Sequence, residues 1–459
     1  MSFNVKRQLL AAAGAGGGGA YFISKWTLPY DPDKRNTIHA VVDSSDNIYV
    51  DFDYKQSTNN WRTGVIKFDN GGNVLADRYL TNTIAREPFS TGSLFTGTWQ
   101  GAVDSTNGKL GLVVKSNSFY GNLVRLNVSD LTFSSGNVGS FPSGNTWGFH
   151  AKSGNSYQVG GVATGNPYQG FVAKFNSSDT QQWSKGLGMY NPAFSQIGVQ
   201  FEGGHEDSSG NVYIGGLYPY SNWEALVVKL SSSGSPTWYR TRKEDNNNAL
   251  PVINVDSSGN VYAAGNIGLS NGTPLQYLVK WNSSGTFQWD YIHQYDDQRG
   301  VFQSIDFDSS GNVYVAGTQQ ESPGNFAGSW RNIGVVVKLN SSGTVQWQRG
   351  FANSTATSSV GQDKFTTVAI DSNDDMVLST CESDGTSVKC YLLRLPNDGT
   401  LTGSYGSVGV KYDSTIYGDK AVGSSRTPVD AGSGNVTRTA LTNSVGSTDI
   451  SYSVTTQTI

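Results

Sequence analysis

The chain has 459 residues, of which 36% are hydrophobic and only 15% charged, with a net charge of −4. No basic stripe offers nucleic acid an electrostatic footing, two cysteines are too few for a disulfide scaffold, and no apolar run of roughly 18 residues is present to span a membrane as a helix. The 56 Gly, 23 Tyr, 20 Phe and 11 Trp residues point instead to short strands joined by tight turns, with enough aromatic surface to build a core.

In chain order, residues 1–30 read as an N-terminal arm. Lys6 and Arg7 precede a Leu/Ala run, as in a secretory signal, but four consecutive glycines make a poor apolar core for one. A Gly-rich arm ordered by a partner is the favoured alternative. Tyr21–Pro29 resembles the last strand of the repeats described next, with Trp26 at the repeat's Trp position. It is expected to pair beside the seventh repeat and latch a ring; the rival for that place is Thr400–Tyr405.

Residues 31–406 are organised by two alternating motifs. The first is Asp-Ser-Ser-Gly-Asn-Val-Tyr at Asp207–Tyr213, Asp256–Tyr262 and Asp308–Tyr314, with relatives at Asp43–Tyr49, Asp104–Leu110, Lys152–Tyr157 and Asp371–Val377. The second is clearest at Val336–Trp347 and recurs at Leu278–Trp289, Val227–Trp238 and Val172–Trp183, more weakly at Val65–Leu75, Leu123–Phe133 and Leu392–Leu401. Each motif is a hairpin: Asp, Asn and Ser cap the turn backbone while Gly takes the positive-φ position. Two hairpins make four antiparallel strands in about 50 residues, and such a unit repeated seven times predicts an all-β, seven-bladed β-propeller. Trp183, Trp238, Trp289 and Trp347 recur on the fourth strand and are expected to fill the layers between blades. The recurring cation of the second motif (Lys67, Arg125, Lys174, Lys229, Lys280, Lys338, Arg394) is expected to reach an edge or a turn Asp.

These motifs resemble the bacterial β-propeller repeat (SBBP-type) over residues 37–406, which implies the fold and no catalytic residues. Taken whole, a short basic, Gly-rich leader, β-rich repeats and a Ser/Thr-rich end resemble virion structural proteins of marine tailed phages. That likeness implies a tail, fibre or capsid appendage, non-enzymatic and without a cofactor. Its partners would be other virion proteins through the termini and a host-surface glycan or protein through the blade loops. The alternative is a secreted or cell-surface bacterial propeller; a propeller hydrolase or lyase is a third reading.

No constellation of residues compels a chemistry. Gly268-Leu-Ser270-Asn-Gly272 matches a nucleophile elbow but sits between two strands rather than between strand and helix. His39, His150 and His205 fall near first strands, at different offsets, and His293 stands apart. The Asp-rich turns lack the further carboxylates a calcium loop needs. Cys381 and Cys390 flank a hairpin. They oppose each other if the turn centres on Gly385–Thr386, and miss if Asp384–Gly385 is the two-residue turn; free thiols are the expectation.

Residues 407–459 form a Ser/Thr-rich β extension. Asp449–Ile459 alternates as a strand, ready either to dock on a neighbouring chain or to pack on its own propeller. The candidate docking residues are Leu9, Leu10, Tyr21, Phe22 and Trp26 at one end and Ile450, Tyr452, Val454 and Ile459 at the other.

Overall fold

The computed structural model describes residues 6–9, 21–28, 38–57, 60–80, 101–115, 121–139, 146–162, 169–189, 200–218, 224–242, 246–268, 274–293, 299–321, 331–353, 364–383, 388–400, 403–405, 410–413, 445–449 and 454–455. These form seven four-stranded antiparallel blades, so the chain is a seven-bladed β-propeller. Among the described residues no helix is long and apolar enough to cross a membrane.

The chain divides into two compact units. One comprises Met1–Leu94 with His293–Val422; the other comprises Phe95–Ile292 with Gly423–Ile459. The first unit holds three blades. Blade 1 is Ile38–Val42, Ile48–Ser57, Asn60–Phe68 and Val74–Tyr79. Blade 6 is Gly300–Phe307, Val313–Glu321, Arg331–Leu339 and Val345–Asn353. Blade 7 takes Lys364–Ile370, Met376–Ser383 and Val388–Leu395 from its own repeat, and its fourth strand is Phe22–Leu28 from the other end of the chain. The rival segment lies elsewhere: Gly403–Tyr405 pairs with Val410–Asp413, which extends the outer edge of blade 6.

The second unit holds the other four blades. Blade 2 runs from Ala102–Asp104 to Phe133–Gly139, blade 3 from Thr146–His150 to Gln181–Met189, blade 4 from Gln200–Glu206 to Pro236–Arg242 and blade 5 from Asn246–Val255 to Phe287–His293.

One carboxylate organises the first hairpin in blades 1, 4, 5 and 6. Asp207 Oδ1 accepts from the backbone N–H of Ser209 and Asn211, both at 2.9 Å. Its Oδ2 accepts from Asn211 Nδ2 at 2.9 Å and from the Tyr213 hydroxyl at 3.0 Å. Asp43, Asp256 and Asp308 repeat the same four bonds. The fourth position has positive φ, +77° at Gly210, which favours glycine. Burial raises the Asp207 pKa, but the Asn211, Tyr213 and Ser209 donors outweigh it and hold the group below the usual carboxylate range. The turn itself takes up the carboxylate's lone pairs. We expect Asp256→Ala to cost about 2–3 kcal/mol by stranding these donors, read as a lowered urea midpoint; an unchanged midpoint would refute the hub.

In blades 3, 5 and 6 the second hairpin uses Asn instead. Asn340 Oδ1 accepts from the backbone N–H of Ser342 and Thr344, at 3.1 and 2.9 Å. Asn176 and Asn282 make the matching backbone bonds. Each of these three asparagines begins an Asn-Ser-Ser sequon, which its capping role accounts for.

Candidate functional site: blade seams and terminal strands

Between blades, the two motifs meet in a repeated cluster. The motif tyrosine stands directly across the strand pair from the motif lysine, Tyr213 opposite Lys229 and Tyr314 opposite Lys338. The ammonium lies over the ring at 5.0–5.6 Å in blades 1, 3, 4, 5 and 6. The expectation of a turn Asp also has examples, with Lys338 Nζ 3.4 Å from Asp308 and Arg125 2.8 Å from Asp179, whereas Lys174 pairs at 3.1 Å with Glu206 at the end of a strand.

The indoles reach into the next blade. Trp183 Nε1 donates to the Ser232 carbonyl at 3.0 Å, Trp238 to Ser283 at 3.3 Å and Trp347 to Asn397 at 3.1 Å. Each ring covers the turn glycine of that neighbour, and a Cβ added at Gly234, Gly285 or Gly399 would sit 2.9–3.0 Å from indole carbons. Trp289 lies edge-on to Tyr262, with ring centroids 5.8 Å apart. All four indoles are half-buried; among the described residues the fully buried tryptophans are Trp26, Trp147 and Trp281. Arg240 and Arg349 also sit over Trp238 and Trp347, at 5.4 and 5.5 Å. Trp183, Trp238 and Trp347 thus serve as interblade clamps, each with one ring face against a neighbouring turn.

Trp26 is not at the repeat's Trp position. The strand register pairs Phe22 with Arg394, as Trp347 pairs with Lys338 and Trp238 with Lys229. Phe22 accordingly covers Gly72 of blade 1, as the indoles cover theirs. Trp26 lies deeper, 5.7 Å from Phe52 and 6.1 Å from Phe68 between ring centroids. Phe22 and Trp26, read as docking residues from sequence, are therefore consumed by the chain's own core, at 0% and 1% exposure.

Tyr21 has a role that the repeat pattern did not announce. Blade 7 carries Val377 where five other blades carry the motif tyrosine, and Asp375 where they carry Asn. Tyr21 supplies the missing phenol from across the strand boundary. Its hydroxyl donates to Asp375 at 3.1 Å and its ring lies 5.8 Å from the Arg394 guanidinium. Arg394 is fully buried and bridges Asp371 at 2.6 Å and Asp375 at 2.9 Å. Burial and the neighbouring carboxylates outweigh Arg394 and push Asp375 up to about 6. The two departures from the motif at Asp375 and Val377 were the available signal.

Three further aspartates stand at positive φ in turns where other copies place glycine: Asp46, Asp179 and Asp374, at 59°, 59° and 64°. Each reaches a neighbouring blade. Asp46 accepts from the Ser372 N–H at 2.9 Å and hydroxyl at 2.7 Å, Asp374 accepts from the Ser309 N–H at 2.7 Å, and Asp179 pairs with Arg125. The side chain lost to backbone freedom is thus used as an interblade bond.

The other expected site residues are dispersed. Lys6–Leu9 pairs with the outer side of Phe22–Leu28, placing Leu9 opposite Phe22. In the C-terminal extension, Val445–Asp449 pairs with Lys185–Met189 of blade 3, and Val454–Thr455 with Val138 and Gly139 of blade 2. Leu10, Ser270, Ile450, Tyr452 and Ile459 lie outside the described residues. His39 is 3.7 Å from Asp51, and His150 Nε2 is 3.0 Å from the Leu112 carbonyl. Burial, then Arg125, depresses His150 to about 3, and burial holds His293 near 4, so both are neutral at ordinary pH. Among the described residues no group of three His, Cys, Asp or Glu side chains is placed to hold a metal. Cys381 stands directly opposite Cys390, as a turn centred on Gly385–Thr386 requires, with the sulfurs 2.7 Å apart.

No family model matches the chain, and no curated protein does. Among solved structures, it is similar to the polysaccharide lyase Uly1 (9% identity, TM-score 0.49, covering 78% of this chain and 89% of that one). It is also similar to hydrazine synthase of Kuenenia stuttgartiensis (9%, 0.44, 72% and 100%). A third is a neuraminidase-like protein from a flat-faced bat isolate (11%, 0.38, 86% and 95%). The expectation that the chain is not an enzyme is corrected here: the neighbours include a polysaccharide lyase, so a propeller without a recognisable sequence triad is no ground for excluding catalysis. At these identities the likeness shows the fold alone, that of a β-propeller.

Proposed function

We propose that the chain is a structural component of a virion, a tail, fibre or capsid appendage, in which the propeller is the rigid body and the terminal segments are attachment strands. The observation that supports it is the use of both ends as edge strands. Lys6–Leu9 is outermost on blade 7, and Val445–Asp449 and Val454–Thr455 lie outermost on blades 3 and 2. Strand addition relies on backbone N–H and C=O groups, so the same segments suit pairing with a neighbouring subunit. The loops joining second and third strands are the natural surface for a host glycan or protein. The SBBP-like repeats and the Gly-rich leader are consistent with this setting. A secreted or cell-surface propeller is the second reading, favoured by Lys6 and Arg7 ahead of an apolar run.

The deciding measurement is peptide and intact mass spectrometry on purified particles. A chain present in particles and starting at Met1 or Ser2 supports the proposal. A chain absent from particles, or one processed near residue 20 and found in secreted material, overturns it in favour of the second reading.

A further inference from the structure

The chain's two cysteines occupy one site. Cys381 on the second strand of blade 7 and Cys390 on the third are direct partners in the antiparallel register. Their sulfurs face each other at 2.7 Å, and the residues are 7% and 0% exposed. On the other side of Cys390 stands Trp26, its partner in the N-terminal strand, and all three belong to one apolar cluster with Leu28, Phe52 and Val388. Directly opposed residues of an antiparallel pair bring their Cβ atoms close enough for a short bridge. Here both side chains already point at each other, so closure asks for no backbone movement.

We propose that Cys381 and Cys390 are a redox modification site that closes into a cross-strand disulfide on exposure to an oxidised low-molecular-weight disulfide such as glutathione disulfide. Cys381, the less buried of the two, is the entry thiol. It loses its proton, and its thiolate attacks one sulfur of the small disulfide, forming a mixed disulfide and expelling one small thiolate. Cys390 then loses its proton and attacks the Cys381 sulfur, expelling the second. Two protein thiols are oxidised, one small disulfide is reduced to two thiols, and the two protons end on those thiols. Burial, then the neighbouring Cys381, raises the Cys390 pKa, which makes the second attack the slow one and speeds closure at alkaline pH. In a reducing compartment the pair stays open, and in an oxidising one it closes, stapling the hairpin beneath the strand that carries Trp26. This inference is independent of the function proposed above.

The test uses the full chain. Native protein is brought to equilibrium with glutathione disulfide at mildly alkaline pH, then denatured, alkylated and digested with trypsin. Cleavage after Lys364, Lys389 and Arg394 places the cysteines in separate peptides, 365–389 and 390–394. The expected result is loss of alkylation at both cysteines and appearance of the two peptides as one linked species, which a reductant resolves. Cys381→Ser should abolish the linked species. Recovery of both peptides alkylated, or each carrying its own glutathione, would overturn the proposal.

Discussion

Arg394→Ala should lower stability by about 3–5 kcal/mol, because it leaves two buried carboxylates with no countercharge. Arg394 is fully buried and bonded to both Asp371 and Asp375, so the guanidinium cannot be replaced by water without opening blade 7. The same cluster carries a pH dependence of defined sign. Asp375 is pushed up to about 6 in the folded chain, above the ordinary value of about 3.9 expected once unfolded. A raised carboxyl binds its proton more tightly when folded. Its contribution is therefore fully present below the unfolded value and is lost as pH rises through about 6. The urea midpoint should fall between pH 4 and pH 7 in the native chain by more than in Asp375→Asn, whose side chain keeps the Tyr21 contact but does not titrate. Equal slopes in the two proteins would show that Asp375 is not the group responsible.

Deleting residues 1–28 should unfold blade 7 or leave it unable to unfold cooperatively with blades 6 and 1. The deletion removes the fourth strand, bares the edge of Val388–Leu395 and takes away Tyr21, Phe22 and Trp26 together. Trp26→Ala alone should cost about 3–5 kcal/mol, the usual penalty for emptying a buried aromatic site. Removing residues 401–459 should leave blade 7 intact, since Gly403–Tyr405 and Val410–Asp413 extend blade 6. The comparison is made by urea denaturation followed by tryptophan fluorescence. A 1–28 deletion that melts at the native midpoint would mean that blade 7 is closed by some other segment.

Both results rest on features that differ in how far they could be read in advance. The hairpin turns were legible because their chemistry is local: Asp, Ser, Gly, Asn and Tyr bond to one another within seven residues, so each full copy carries its own signature. Counting the copies was enough to predict seven blades. The N-terminal closing strand was visible as an orphan fourth strand. Its alignment was misjudged, because matching by residue type selects Trp26, whereas the backbone register places Phe22 opposite Arg394. The cysteine pair hung on a turn length that the sequence left with two answers.

What the sequence by itself determined was the repeated unit and hence the all-β propeller, since strand length, turn type and caps are set by contacts between near neighbours. Tertiary structure alone decided that Tyr21 repairs the motif of a blade starting more than three hundred residues later, that three aspartates at glycine positions bind a neighbouring blade, and that the terminal segments pair onto blades 2, 3 and 7. Those contacts join groups far apart in the chain or run through backbone atoms common to every residue, and neither kind leaves a pattern in the order of side chains.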